Sequence, residues 1–251
     1  MRKYLLLCTA LTISSSAYAA LDCATPPTCE EWGFTMTTSD CAGQFSLKCP
    51  FDSGLLFCEK EKITTIPCTI GSVLYDDLQC YNSAPSGKKA VAVVFDPTNR
   101  LAIGLNDASS RLPWSSETRD ISELTNYILQ NDAVTSTETG YYNNTAIIRM
   151  GGNYSSSNYV SGYCHNSRDG GFLVGRWWLP SAKEWAVGIY SNITAINVGL
   201  EKAGGTALTM SDYWTSTENS STAAWVFAVD RVALNTYNKI GTYFVQCGMG
   251  Y

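Results

Sequence analysis

The segment 175–185 constrains the fold of this chain most, because it specifies in succession a strand, the end of that strand and the start of a helix. Trp177 and Trp178 are bulky residues that favour a half-buried strand over residues 176–179. Pro180 cannot donate a hydrogen bond to a neighbouring strand, so we expect the strand to end there. Because side chains alternate along a strand, Trp177 is predicted to lie in the core and Trp178 on the opposite face.

The start of the following helix is marked by Ser181 and Glu184. They have the spacing of a capping box, in which each side chain bonds a free backbone N–H of the first helical turn. The box predicts a helix over about residues 182–190. Trp185 and Ile189 are one turn apart in it and are expected on its buried face.

Residues 1–19 have the features of a secretory signal segment. Arg2 and Lys3 give a positive start, residues 5–13 are apolar, and residues 17–19 form a small-x-small cleavage site. The apolar core is too short to span a bilayer, and no later stretch is long and apolar enough to do so. We therefore expect a secreted, periplasmic or cell-surface protein with no integral membrane segment after cleavage.

The charge balance narrows the possible partners. The formal net charge of −5 becomes about −7 once Arg2 and Lys3 leave with the signal segment. Proteins that bind nucleic acid carry basic patches, and no basic residues cluster along this sequence. No nucleic-acid partner is therefore expected.

Cysteine is frequent, with ten residues in the chain, of which Cys8 lies in the signal segment. In an exported protein the other nine are expected to form disulfides. Their odd number leaves one that is free or that pairs with another chain, and the second alternative would give an oligomer through the odd cysteine. Zinc is disfavoured, because the chain has one histidine and no Cys-x-x-Cys motif.

The cysteines divide the chain into two parts. Residues 20–66 hold five of the nine and little aliphatic sequence, which predicts a small module in which cross-links replace burial. The two bridges predicted in it, whose connectivity the spacing leaves open, involve Cys29, Cys41, Cys49 and Cys58. Cys23 is then the odd cysteine, and Cys68 and Cys80 are expected to close a small loop at the start of a larger domain over residues 67–251.

The larger domain contains both strand and helix signals. Residues 90–95 and 101–105 are apolar and flank a turn that contains Pro97, which predicts a β-hairpin. Helices are predicted over residues 122–129, from residue 145 onwards after an Asn144 cap, over residues 159–165 and over residues 193–203. Further strands are predicted over residues 72–75, 212–217, 224–229 and 243–247.

Four motifs occur in order: Gly-x-Trp-x-Leu-Pro-Ser-x-x-Glu at residues 175–184, Gly204-Gly205, Tyr-Trp-Thr-Ser-Thr-Glu at residues 213–218, and aromatic-Val-x-Cys ending at Cys247. With these motifs, residues 68–251 resemble the bacterial Lcl-type domain found at the C-terminus of collagen-like surface adhesins. The resemblance implies an α+β, C-type-lectin-like fold that is distantly related to formylglycine-generating enzymes. It also implies a disulfide between an early helix and the last strand, here Cys164–Cys247.

Recognition is expected on polar stretches rich in Tyr, Asn, Ser and Thr, because such side chains combine rigid aromatic area with adaptable hydrogen bonding. The alternative is that these stretches are ordinary solvated loops. The candidate ligand-binding residues are Trp178, Trp214, Ser216, Glu218, Asn219, Asn235 and Tyr237. Glu218-Asn219 lacks the Glu-Pro-Asn and Trp-Asn-Asp motifs of calcium-dependent lectins, so no calcium, other metal or cofactor is expected.

No catalytic residue is predicted. Cys164 and His165 are adjacent, and neighbours on a helix point about 100° apart and do not face each other. The sequence hypothesis is an exported, non-enzymatic binding or adhesion protein that recognises a glycan or another surface component. The alternatives are an enzyme of the formylglycine-generating type and a structural subunit of a surface appendage.

Overall fold

Helices and three antiparallel sheets make up the described part of the chain, residues 63–209 and 211–251, in the computed structural model. Residues 64–251 form one compact unit with a mixed α+β fold. The predicted signal segment 1–19 and most of the module at 20–66 lie outside the described residues. The predictions for Cys23, Cys29, Cys41, Cys49 and Cys58 fall there as well.

The largest sheet has seven strands. In spatial order they are β1 (Thr65–Ile66), β3 (Cys80–Tyr81), β2 (Val73–Tyr75), β4 (Ala90–Asp96), β5 (Leu101–Gly104), β12 (Gly248–Gly250) and β7 (Trp177–Trp178). The predicted hairpin is present as β4 and β5, with Val93 opposite Ile103. Residues 91–95 are all buried, which agrees with the continuous apolar run in the sequence. Because β1 pairs with β3, the sheet begins slightly before the predicted boundary at residue 67.

The predicted last strand, residues 243–247, is wrong in its position. Thr242–Tyr243 form the short strand β11, which pairs with β6 (Leu112–Pro113). Gly248–Gly250 form β12, between β5 and β7 in the large sheet. A Cβ at Gly248 would lie 3.3 Å from the ring of Pro180, a tighter contact than side chains usually make. Glycine therefore permits a central strand where its low strand propensity predicted none.

The second sheet holds β8 (Asp212–Glu218), β9 (Ala223–Ala228) and β10 (Ala233–Asn238) in the order β10-β9-β8. Trp225 on β9 lies opposite Thr236 on β10. Strands β8 and β9 are buried on both faces, whereas alternate residues of β10 are exposed. Among the described residues, β10 and β8 are the outer strands of this sheet, and β10 is the more exposed of the two.

The helix predicted over residues 122–129 is absent, and the first described helix is α1 (Gln130–Thr135). The backbone groups that a helix would use are already bonded elsewhere. The N–H of Tyr127 donates to the carbonyl of Glu218 at 3.1 Å. The carbonyl of Tyr127 accepts from the side chains of Asn219 and Trp225, at 2.9 and 2.8 Å. Residues 122–123 form a turn, and tertiary hydrogen bonds hold Tyr127 outside any helix.

The next helix, α2 (Gly140–Arg149), begins earlier than predicted. Thr139 is its cap, because its hydroxyl accepts from the N–H of Tyr142 at 3.2 Å. Asn144 is not a cap: it lies within the helix, is buried, and accepts a hydrogen bond from the N–H of Leu179 at 3.1 Å.

Both disulfides expected in the larger domain are present. Helix α3 (Val160–Asn166) carries Cys164, which is bonded to Cys247 immediately before β12. Cys68 and Cys80 are bonded across 12 residues of sequence. All four cysteines of the described residues are therefore in bridges within the chain.

The capping box is formed as predicted. The N–H of Ser181 donates to Glu184 at 2.9 Å, and the N–H of Glu184 donates to the hydroxyl of Ser181 at 3.2 Å. The helix after it is π-helical over Glu184–Ile189, passes through a 3-10 turn at Tyr190–Asn192, and continues as α4 (Ile193–Lys202). Trp185 and Ile189 are fully buried, as expected from their spacing.

Candidate functional site

Three of the predicted ligand-binding residues lie in the core. Trp214, Ser216 and Glu218 alternate along β8, and each is at most 1% exposed. The indole N–H of Trp214 donates to the carbonyl of Leu112 at 2.9 Å. The strand predicted over residues 212–217 is present, but it is covered on both faces, so these three side chains do not reach the surface. The prediction that these three side chains contact a ligand at the surface is therefore wrong.

The remaining predicted residues do not form one site. Asn219 is partly exposed and uses its side-chain amide to hold the carbonyl of Tyr127. Asn235 and Tyr237 lie on β10, half-buried, and the Tyr237 ring packs 4.6 Å from that of Tyr243. Trp178 lies in the other large sheet, on β7.

Trp178 instead marks the edge of a cleft between α2, α3 and β7. It is 8% exposed, and the ring of Tyr141 meets it edge-on at 5.4 Å and 76°. Tyr141 itself is 55% exposed. An exposed aromatic ring fixed against a second, buried ring offers a rigid apolar face at the mouth of the cleft.

The cleft has a volume of about 170 Å³ and a mixed polar and aromatic lining. Its polar side chains include Thr145, Arg149 and His165. Arg149 is bound to Glu123 at 3.0 Å but remains largely exposed. Burial lowers the pKa of His165 below its usual value, which favours the neutral imidazole with one donor and one acceptor nitrogen. The lining can therefore offer both donors and acceptors beside an aromatic face.

An apolar patch adjoins the cleft at Gly175. Leu173 is 78% exposed and Val174 is 42% exposed. With Phe172, Leu78 and Arg176 they line a shallow hollow of about 390 Å³. The sequence signal for this patch is the apolar run Phe172–Val174 directly after Gly170-Gly171, which the sequence reasoning did not use.

A buried charged pair was also missed by the sequence reasoning. Lys239 contacts Glu218, and both side chains are fully buried. Nothing local in the sequence marks Lys239, because it follows an edge strand and precedes the exposed Ile240. The pair could be predicted only from the arrangement that places β8 and β10 in one sheet.

Neither a reactive thiol nor a metal site is found among the described residues. Cys164 is bonded to Cys247 and carries no thiol to pair with His165. Across residues 63–209 and 211–251, no group of three or more His, Cys, Asp or Glu side chains is arranged to hold a metal ion. Within the same residues, no helix is both long and apolar enough to cross a membrane.

Comparison with known proteins finds a similar fold in a solved structure. No protein-family model matches the chain, and no curated protein matches it. A solved structure of a fimbrial protein from Bacteroides ovatus is similar, with 14% sequence identity and a TM-score of 0.52. The match covers 73% of this chain and 49% of the other, so this chain spans about half of that protein. At this identity the similarity concerns the fold alone.

Proposed function

We propose that this chain is an exported, non-enzymatic surface protein that acts in adhesion, and that the cleft beside Tyr141 contacts a glycan or another surface component. The two intrachain disulfides found among the described residues are consistent with an oxidising compartment outside the cytosol. The similar fold of a fimbrial protein fits a role at the cell surface.

The observation that carries this proposal is the exposed Tyr141 ring held against Trp178. An aromatic face can cover the C–H surface of a sugar ring, while Arg149, His165 and Thr145 supply hydrogen-bonding groups around it. Sites of this kind combine an apolar surface with a few polar groups that fix orientation.

We assign the larger domain to the Lcl-type, C-type-lectin-like group as part of the same proposal. Two features support the assignment: the strand, Pro180 and capping box in succession, and the bridge from α3 to the residue before the last strand. The lining of the cleft contains one arginine and no lysine. We therefore propose a neutral ligand over a sulfated one.

A glycan array probed with the mature protein tests the proposal, with and without calcium. Binding to a defined set of neutral glycans in both conditions is the expected result. The absence of binding to any glycan on the array in both conditions would overturn the glycan proposal. Binding only with calcium would contradict the proposed cleft, whose described lining offers no cluster of carboxylates.

A structural subunit of a surface appendage is the second candidate. The fimbrial fold similarity and the open outer edge of β10 favour it, because an unpaired edge can accept a strand from another chain. Covalent oligomers of the mature protein on a non-reducing gel would support this role. Monomers in the gel, together with monomers in size-exclusion chromatography at high concentration, would count against it.

The number of free thiols distinguishes the enzyme alternative from the adhesion protein and from the appendage subunit. The four described cysteines are bridged, so reactive cysteines would have to come from the remaining part of the chain. Our proposal expects at most one free thiol per denatured, unreduced chain. Two or more would favour the formylglycine-generating type of enzyme.

A further inference from the structure

Lys239 and Glu218 face each other inside the second sheet. Glu218 ends β8 and Lys239 follows β10, 21 residues further along the chain. Both side chains are completely buried, and Nζ of Lys239 contacts Oε1 of Glu218. Because β9 lies between the two strands, this contact connects both outer strands of the sheet.

The residues around the pair hold its reacting atoms in place. The N–H of Ile121 points at the Glu218 carboxyl, 3.2 and 3.3 Å from its two oxygens. The carbonyl of Arg119 accepts from Nζ of Lys239 at 2.6 Å. The ring of Trp114 lies 4.7 Å from the same Nζ and is itself fully buried. The amine is thus oriented towards the carboxyl in an environment closed to solvent.

Burial also favours the uncharged forms of both groups. Desolvation raises the pKa of Glu218 to about 7, although Lys239 and the N–H of Ile121 act in the opposite direction. Desolvation lowers the pKa of Lys239, although Glu218 opposes the change. A neutral amine has a free electron pair, and a protonated carboxyl can lose its hydroxyl as water.

We propose that the folded chain joins Lys239 to Glu218 through an isopeptide bond. Nζ of Lys239 attacks Cδ of Glu218, an N–C bond forms, and the bond from Cδ to the hydroxyl oxygen breaks. That hydroxyl leaves as water with one proton from the amine, so no oxidant, reductant or other reactant is needed.

Each neighbour has a part in this reaction. The N–H of Ile121 stabilises the negative charge that develops on the carboxyl oxygen in the tetrahedral intermediate. The carbonyl of Arg119 accepts a hydrogen bond from the proton that stays on Nζ of Lys239. The ring of Trp114 excludes water that would hydrolyse the new bond. The product would lock β8 to β10 covalently and so protect the sheet from unfolding and proteolysis.

Peptide mapping of the full chain by mass spectrometry tests the proposal. The protein is unfolded, reduced, alkylated and digested with trypsin, which cleaves after Lys202, Arg231 and a free Lys239. The expected product is one species that contains residues 203–231 and 232–251, lighter than their sum by one water molecule. A peptide that ends at Lys239 should then be absent.

Two variants provide matched controls. Lys239→Met should yield residues 203–231 and residues 232–251, with Met at position 239, as two separate peptides. The intact mass of this variant should show no loss of water. Lys88→Met removes a lysine from an exposed pair with Asp77, at 3.0 Å, and should leave the link intact. Recovery of residues 232–239 as a free peptide from the unmodified protein would overturn the proposal and identify the pair as a salt bridge. This result does not depend on whether the variants fold.

Discussion

At the scale of single residues, buried polar side chains serve to connect elements. Glu184 accepts from the N–H of Ser181, as the capping box predicts, and also from the N–H of Gly140 at 3.1 Å. The first contact was predictable because both partners are local in sequence. The second was not, since it depends on where α2 is placed. Glu184 therefore joins two helix starts that lie 44 residues apart.

Glu184→Ala is expected to destabilise the protein by about 2–4 kcal/mol, because it leaves two buried N–H groups without acceptors. Glu138→Ala is the matched control. Its carboxylate also accepts two hydrogen bonds, from the N–H and hydroxyl of Thr125, but at an exposed site. We expect the control to cost less than about 1 kcal/mol in urea unfolding. Equal losses for the two variants would contradict the role given to Glu184.

Asp107 should make the stability of the fold depend on pH. Burial raises its pKa to about 6, although the hydroxyl of Tyr213 donates to it at 3.1 Å. The folded state then holds the proton more tightly than the unfolded state, whose Asp pKa is about 3.9. The free energy of unfolding therefore falls as pH rises from about 4 to about 6, and it stays lower above that range.

Asp107→Asn removes this ionisation and keeps an acceptor for Tyr213. Allowing for the partial exposure of Asp107, we expect the variant to be more stable than the unmodified protein by about 1–2 kcal/mol at pH 7.5, with little difference near pH 4. Urea unfolding of both proteins at the two pH values measures it. A difference that does not change with pH would show that ionisation of Asp107 does not affect folding.

At the scale of elements, those whose partners are adjacent in sequence were predicted correctly, and those fixed by distant contacts were not. The β4–β5 hairpin and the helix that starts at Ser181 are encoded in adjacent residues, and both are found. Strand β12 was missed because glycine has a low strand propensity, and the close contact of Gly248 with Pro180 depends on tertiary packing. The predicted helix at 122–129 was wrong because Tyr127 bonds residues about ninety positions away.

The two candidate caps of α2 can be separated by amide hydrogen exchange. Thr139→Ala removes the acceptor of the Tyr142 N–H, so that amide should exchange faster, with a loss of about 1 kcal/mol in stability. Asn144→Ala should instead speed exchange at Leu179, which it contacts from inside the helix. Faster exchange at Ala146 or Ile147 in Asn144→Ala, with no change at Leu179, would restore Asn144 as the cap.

At the scale of the whole molecule, the two disulfides of the described residues close loops of very different length. Cys164–Cys247 spans 83 residues and Cys68–Cys80 spans 12. Loop-closure entropy gives about 4.5 kcal/mol for the longer loop and about 3 kcal/mol for the shorter one. When each bridge is removed separately, the double variant Cys164→Ser/Cys247→Ser should therefore have a lower unfolding midpoint than Cys68→Ser/Cys80→Ser. A larger loss for Cys68→Ser/Cys80→Ser would show that native contacts outweigh loop length.

The cysteine positions predicted the Cys68–Cys80 bridge, and the resemblance to the Lcl-type domain implied Cys164–Cys247. Of the predicted ligand-binding residues, one lines the cleft, Trp178. It placed Trp214, Ser216 and Glu218 at a surface because their motif is polar, whereas the segment that covers them is distant in sequence. Tyr141 was not among the predicted ligand-binding residues, because its position beside Trp178 depends on the packing of α2 against β7.

The comparison of Tyr141→Ala with Tyr142→Ala tests the central claim most directly. The two tyrosines are adjacent and similarly exposed, at 55% and 48%, but Tyr142 is not among the residues that line the cleft. Affinity for a glycan selected on the array should fall about tenfold or more for Tyr141→Ala, the equivalent of about 1.4 kcal/mol, and stay within about twofold for Tyr142→Ala. Unchanged affinity for Tyr141→Ala, or an equal loss in both variants, would contradict recognition through this cleft.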